Sequence, residues 1–549
     1  MKRFLAIVCG LLIAASVFAG GTKEAAGTAV PSAPGPFGKY DPGLTVNTVA
    51  VVSDALKFVP GEDINHNNWV KLFKDQMGLS FNYEWTAATQ DQYDNKLNVN
   101  IAAGNIPDIF DVNKTQLARL VQAGLINTDL RPVYDKYATD LLKTFITQEG
   151  PYTLDSASFN GKLAASPQSA SSMDWANIMW LRQDWLDKLH MKAPTTYDDF
   201  VKLVDAFTTQ DPDGTGATDY VGIALSKELF NMGEADFVGF ANMFHAYPTI
   251  WVKDASGQLV YGSYQPAMKA ALLAAQKLYA AGKFDKEFAV KDNTKEAELI
   301  SAGKTGIEFG QQWNPLWPLQ SSVDNNPKAD WTPYPSPSVD GTPAMLQEQL
   351  GTSDYYVVRK GFGNPEAVFK VQNMYAKMLR SPVMDEFKYI MYDDAAGVHF
   401  QPFFYCPFRA WPSDKNLVNM RAVTAAWKTG DTSKLIPEQV SIYNTMKAYK
   451  NGNKSSWGMT TINKENGSYK VIGDYYDSNM LLLNAFYGAD TPTMTKQKAA
   501  LDKLEVETFT KIIMGDPIDT FDTFVKQAMS LGGADIQKEV NAWYAGQKK

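Results

Sequence analysis

Two indoles flank an amide-rich turn in Gln311-Gln312-Trp313-Asn314-Pro315-Leu316-Trp317, whose Asn-Pro pair forces irregular backbone. Ser171-Ser172-Met173-Asp174-Trp175 sets polar groups around a third indole, and Phe408-Arg409-Ala410-Trp411-Pro412 pairs a guanidinium fork with a fourth. Asp111 and Asn113 follow the apolar run Ile106-Pro107-Asp108-Ile109-Phe110, placing a carboxylate and an amide where a short strand ends. Such groupings suit a ligand with two kinds of surface: apolar C–H faces that stack on aromatic planes, and hydroxyls that need directional partners. A sugar ring has both. The Arg409 fork would also suit a sugar carboxylate. Each grouping has a plainer alternative. Among 13 Trp, 26 Tyr and 29 Phe most must be core, Arg409 can simply stack on Trp411, and Asn113 fits the N-cap of a helix beginning near Thr115.

The sharpest local pattern is Asp211-Pro212-Asp213-Gly214-Thr215-Gly216-Ala217-Thr218-Asp219. Asp211, Asp213, Thr215 and Asp219 fall at side-chain positions of a calcium loop, with Gly216 at the turn and the Ala217 carbonyl between. Gly222 stands where the full motif needs a closing Glu. Two readings follow, a structural calcium ion held by these five residues or a hydrated Asp/Gly turn; no other cofactor is required. Bond-making chemistry has little support. His66, His190, His245 and His399 lack zinc spacing, and Ala302-Gly303-Lys304-Thr305 ends like a phosphate loop whose opening glycine is replaced by Glu298. No G-x-S-x-G occurs. Paired carboxylates for glycoside hydrolysis stay open, because separation in space is not legible among 60 acidic residues. A formal charge of −8 without a basic block excludes nucleic acid as a partner.

These groups need a scaffold, and 549 residues, 45% hydrophobic, supply one. Lys2 and Arg3 precede an apolar stretch from Phe4 to Phe18, and Val17-Phe18-Ala19 gives a small-residue cleavage pattern, so 1–19 reads as a signal peptide. The stretch is short for a membrane span, which needs about 20 residues. Cys9 comes too early for a lipid anchor, and removal of the signal leaves Cys406 alone, without a disulfide partner. Residues 20–43, rich in Gly, Ala, Pro, Ser and Thr, read as a flexible linker. Helix and strand patterns then alternate: a β-branched strand from Thr45, helical spacing over 65–77, a strand over 79–85, and a helix over 90–103 closed by Gly104. That rhythm predicts parallel sheets covered by helices. Further helices are expected over 197–207, 266–281, 364–379, 495–515 and 519–530, with Gly532-Gly533 breaking before a last one.

Phe159-Asn160-Gly161-Lys162-Leu163-Ala164-Ala165-Ser166-Pro167 and Met179-Trp180-Leu181-Arg182-Gln183-Asp184-Trp185-Leu186-Asp187-Lys188-Leu189, with Ala102–Ile109, Gly306–Trp313 and the tail around Ile512–Gly515, Phe521-Asp522 and Glu539–Tyr544, resemble the extracellular solute-binding proteins of carbohydrate ABC importers. The likeness runs in order over nearly the whole mature chain and is nearest to large, lipoprotein-like, oligosaccharide-binding members. It implies an α/β, two-lobed periplasmic-binding-protein fold with a hinge and an interlobe cleft. Lobe one would take 44–168 plus 306–352 and lobe two 169–305 plus 353–549, with crossings near 166–172, 304–310 and 351–356. Proximity to those crossings or to aromatic clusters adds Glu348, Tyr355, Tyr356 and Asp477 as candidates and favours Trp175, Trp313 and Trp317. The resemblance further implies a carbohydrate ligand, a permease partner, export to the periplasm or cell surface, and a monomer that is not an enzyme. An exported carbohydrate hydrolase or lyase is the alternative.

Overall fold

The computed structural model describes residues 32–547 apart from 55, 231–232 and 394–398. The expected signal peptide and residues 20–31 of the expected linker lie outside the described residues. The strands that position the site are β1 (Leu44–Val51), β2 (Leu79–Ala87), β3 (Ile109–Asn113), β4 (Ser166–Pro167), β5 (Ile178–Arg182), β6 (Ile307–Gly310), β7 (Trp331–Tyr334), β8 (Leu346–Glu348), β9 (Asp354–Val358) and β10 (Leu481–Leu483).

In the first lobe β1 runs parallel to β2, with Leu44 opposite Leu79. The helix Gln90–Ala103 follows β2. Its N-terminus is capped by the Thr89 hydroxyl accepting from the Gln92 N–H, and it stops at Gly104, whose φ of 69° favours glycine. Antiparallel β9 lies between β3 and β4, placing Tyr356 across from both Asp111 and Ser166. Trp69, Phe110, Leu117, Tyr355, Phe369 and Phe408 share one core on this framework.

The second lobe is organised on β5, flanked by antiparallel β6 and β7. Every residue of β5 is buried. Met179 and Leu181 enter a core with Phe207, Phe240 and Phe509, whereas Ile178 and Trp180 enter another with Trp331 and Trp457. Alternation along the strand thus feeds two cores at once. β8 and β10 pair in parallel beside this sheet.

Three expectations are corrected here. Segment 306–352 belongs with the second lobe, because β6 and β7 hydrogen-bond to β5 and β8 to β10; conversely β9 and residues 367–390 and 405–410 pack into the first core. Residues 304–310 are therefore no crossing. The chain passes between lobes at 168–172, 349–353 and 411–416, as the changes of core partner mark. The sheets are not all parallel: β1–β2 and β8–β10 pair in parallel, whereas β3–β9–β4 and β6–β5–β7 are antiparallel throughout. Finally, residues 32–43 do not behave as a tether. Ala33 and Tyr40 are buried, the Tyr40 hydroxyl donates to Glu366 Oε1 at 2.9 Å, and Lys370 Nζ donates to the Gly35 carbonyl at 2.8 Å. One aromatic ring and one enclosed ammonium suffice to fasten this glycine- and proline-rich stretch. Gly78 admits it: a Cβ there would stand 2.6 Å from the Tyr40 carbonyl oxygen.

Candidate functional site

Beyond the carboxyl ends of β1, β2 and β3 opens a cavity of about 610 Å³. Ligands in open α/β sheets collect at such ends, where strand termini present side chains and backbone to one space. Val51 closes β1, Tyr83 comes from the inward face of β2, and Asp111 sits on β3. Asp354 begins β9 directly after a crossing, and Phe404 and Arg409 arrive from the segment preceding another.

The polar groups of this cavity are held firmly but left short of partners. The Tyr93 hydroxyl donates to the Asp111 carbonyl at 2.8 Å, fixing the backbone of β3. The Arg409 N–H donates to the Tyr356 hydroxyl at 2.9 Å, and that hydroxyl donates to Gln168 Oε1 on the crossing. The Arg409 guanidinium lies 5.2 Å from the Phe404 ring. Yet Tyr83 Oη, Asp111 Oδ1 and Arg409 Nε are enclosed without a hydrogen-bond partner among the described residues. Most enclosed polar atoms in folded proteins are paired, and an unpaired one costs about 1–3 kcal/mol. Burial, then the charge of Asp354, pushes the Asp111 carboxyl well above its ordinary range, and burial raises that of Asp354 as well.

Asp111 and Arg409 are thus brought together in one cavity, with Tyr356 beneath them. The other expected residues stand elsewhere. Asn113 caps the helix Lys114–Ala123: its Oδ1 accepts from the Gln116 N–H at 2.9 Å. Tyr355 is a core residue whose hydroxyl donates to Ser156 Oγ at 3.1 Å. Trp411 packs edge-on against Tyr375 and Phe403 and lines a smaller cavity of about 310 Å³ at the hinge, with Ser171, Asp174 and Lys415. Glu348 is buried between crossings, and burial, then the charges of Glu149 and Asp174, push its carboxyl up to about 8. Trp175 and Trp317 are 38% and 39% exposed, and Trp313 donates its indole N–H to Gln311; none of the three lines either cavity. Asp477 ends a helix of the second lobe as the partner of Arg421, 2.7 Å away and exposed.

Tyr83, Tyr93, Phe404 and Asp354 were not foreseen. The alternation of β2 places Tyr83 on the inward face at the middle of the strand, a signal that was legible; Phe404 gives no local sign. Between the lobes, Lys114 Nζ donates to the Tyr487 carbonyl at 2.8 Å and Thr115 to Asp490 Oδ2 at 3.0 Å, beside a further cavity lined by Glu228, Trp251 and Asn484.

The loop 211–219 folds on itself. Asp211 Oδ1 accepts from the Gly216 N–H at 3.0 Å, and Asp213 Oδ1 accepts from the Thr215 N–H at 3.0 Å and from the Tyr220 hydroxyl. Asp219 pairs with Lys304 at 2.6 Å. Lys188 Nζ donates to the Asp211 carbonyl at 3.0 Å. Among the described residues no three His, Cys, Asp or Glu side chains converge as a metal ion requires.

Residues 68–369, more than half of the chain, match the bacterial extracellular solute-binding protein family. The chain belongs to this family. Within it, the chain is 28% identical over 220 residues to the polygalacturonan/rhamnogalacturonan-binding protein YtcQ of Bacillus subtilis, a stretch covering 40% of this chain and 41% of that protein. The aligned stretches span about half or less of the curated relatives matched. Solved structures agree over far more of the length. The Streptococcus pneumoniae substrate-binding protein FusA in complex with kestose has a TM-score of 0.61 at 16% identity, over 92% of this chain and 99% of that one. An HMO-binding, ABC-transporter-associated solute-binding protein from Bifidobacterium longum infantis has a TM-score of 0.60 at 19% identity, over 91% of this chain and 98% of that one. At such identities the likeness establishes the fold, which for this family of solute-binding proteins has two lobes.

Proposed function

We propose that the chain is the extracytoplasmic solute-binding component of an ABC importer, closing its lobes on an oligosaccharide and presenting it to a permease as a monomer. The observation that carries this reading is the cavity at the strand ends, where aromatic planes stand beside unpaired polar groups and two of the three crossings begin. A ligand seated there touches residues attached to the moving joints, so its binding energy can favour the closed state. YtcQ and FusA carry names of sugar-binding proteins, which supports the same ligand class. The alternative of a hydrolase or lyase gains nothing from them. Export to the periplasm or cell surface accords with the family's extracellular description and with the absence, among the described residues, of any helix long and apolar enough to cross a membrane.

The test is incubation of the purified protein with a panel of oligosaccharides, followed by melting, small-angle scattering and product analysis. A higher melting temperature, a smaller radius of gyration and unaltered sugar are expected. New reducing ends or unsaturated products at catalytic protein amounts would replace the reading with the enzyme.

For the loop 211–219 we infer a turn that holds without calcium, since the Tyr220 hydroxyl and the Lys304 ammonium engage two of its carboxylates. The melting temperature in excess calcium and in chelator is expected to agree within about 1 °C; a rise of about 4 °C or more with calcium would reinstate the ion.

A further inference from the structure

The cavity beside the contact of Lys114 with Tyr487 measures about 450 Å³, within the roughly 300–1,000 Å³ of organic ligand sites. Lys114 reaches it from the first lobe, Gln349 from the second crossing, and the rest of its lining from the second lobe. It has no lining residue in common with the cavity at the strand ends.

Four carboxylates line this space, Glu228, Asp490, Asp502 and Glu505, against two ammonium groups, Lys114 and Lys498. Lys498 is committed to Asp502 at 2.5 Å, on the exposed rim. Asp490 accepts from the Thr115 hydroxyl at 3.0 Å, and its charge supports that of the enclosed Lys114. Two carboxylates are left over. Lys227 stands 3.9 Å from Glu228 Oε1, but Glu228 Oε2 is enclosed without a hydrogen-bond partner among the described residues. Glu505 is 3% exposed, makes no ion pair among the described residues, and has an Oε1 without a hydrogen-bond partner.

An enclosed carboxylate is costly unless a cation or several donors accompany it. The chain obeys that rule at Asp108, also buried, which takes the Arg359 guanidinium at 2.6 Å and the Asn47 N–H at 3.0 Å. Glu505 meets it by another route. Burial, opposed by a hydrogen bond from Ser263, pushes its carboxyl up to about 8, so at neutral pH it keeps its proton unless a cation faces it.

The remaining lining narrows the class of cation. No three His, Cys, Asp or Glu side chains among the described residues converge as a metal ion requires. Phe230, Trp251, Tyr261 and Phe486 instead give the space an aromatic wall. Aromatic rings attract an ammonium through their negative faces. The cavity shows this once already, with Lys114 Nζ 5.8 Å from the centre of the Phe486 ring. An ammonium carried on a carbon skeleton answers both the surplus of acid and the apolar wall.

We propose that this cavity is a second ligand site, which takes an organic ammonium compound with Glu505 and Glu228 as its counter-charges. Amino sugars and polyamines share that chemistry. The site goes beyond the oligosaccharide reading above and does not depend on it.

The experiment measures binding to the full chain by calorimetry and melting temperature at about 0.15 M salt, where loose attraction to the acidic surface is screened. The probes are glucosamine trimer against N-acetylglucosamine trimer, and putrescine and spermidine against 1,4-butanediol. At least one ammonium probe is expected to bind about 10-fold or more tightly than its neutral counterpart, and which one does so separates amino sugar from polyamine. Glu505→Gln, which resembles the protonated form in shape and charge, is expected to lose about 10-fold or more of that affinity. Any neutral oligosaccharide that binds in the panel above is expected to keep its affinity in this variant. Ammonium probes binding no tighter than their neutral counterparts would overturn the proposal, as would an ammonium affinity that persists in folded Glu505→Gln. A matching loss of neutral-oligosaccharide affinity would overturn it too, because the effect would not be confined to this cavity. Should Glu505→Gln fail to fold, Glu228→Gln takes its place with the same outcomes.

Discussion

Arg182 is buried and Arg409 half-buried with its Nε enclosed, each near aromatic rings, and their partners differ. Arg182 closes β5 in the second lobe, with the Trp185 ring 4.7 Å and the Trp331 ring 5.9 Å from its guanidinium, and its fork is filled by Asp184. Arg409 faces the Phe404 ring across a cavity of the first lobe and its fork is not filled. The first charge is paired within the fold, and the second makes no ion pair among the described residues. Enclosure of a charged group therefore says little about function until its partners are counted.

The contrast can be broken most sharply at Arg182. Arg182→Met strands Asp184, which is only partly exposed, and is expected to destabilise by about 3 kcal/mol and lower the melting temperature by several degrees. Sugar affinity measured well below the transition should be unchanged; a parallel loss of affinity would erase the distinction. Glu348 sharpens it from the other sign of charge, being enclosed and unpaired at Oε1 but set among Glu149 and Asp174. Its folded carboxyl titrates near about 8 against an ordinary 4.5, so the native state holds the extra proton between those values and stability falls as pH rises through that window. Glu348→Gln, neutral throughout, is expected to melt a few degrees above the parent at about pH 8 and level with it at about pH 4, as a pH series of melting curves will show. Two tyrosines offer a smaller test. Tyr355→Phe removes a hydroxyl bonded to Ser156 and should cost about 1 kcal/mol, whereas Tyr83→Phe removes one without a partner and should cost less than about 0.5 kcal/mol, by denaturant titration. Least of all, Arg409→Gln should move the melting temperature of the ligand-free protein by less than about 2 °C. A fall as large as that of Arg182→Met would mean that Arg409, too, is structural.

Much of the fold was legible because local patterns carried it. Thr89 and Gly104 bracket the helix between them as cap and terminator, and the spacing over 65–77 yields a helical stretch ending at Gly78. Lobe membership was not legible. Ile307–Gly310 and Asp354–Val358 look alike as short apolar strands, and which sheet each joins is decided by partners more than 100 residues away. Of the site, Asp111 could be read from its place after an apolar strand, and Arg409 from its pairing of fork and ring. The indoles of Trp175, Trp313 and Trp317 line neither cavity, and a Trp on an irregular segment is equally consistent with a surface position. Phe404 and Asp354 meet Asp111 only through the tertiary fold, which no spacing records.

The Tyr356 hydroxyl joins two segments of the first lobe. It receives the amide of Arg409 on one side and grips Gln168 of the first crossing on the other, while its ring is clamped in the core. The backbone at Arg409 is thereby tied to the first crossing through one oxygen atom, and any shift of that cavity wall is shared with the joint through these two hydrogen bonds.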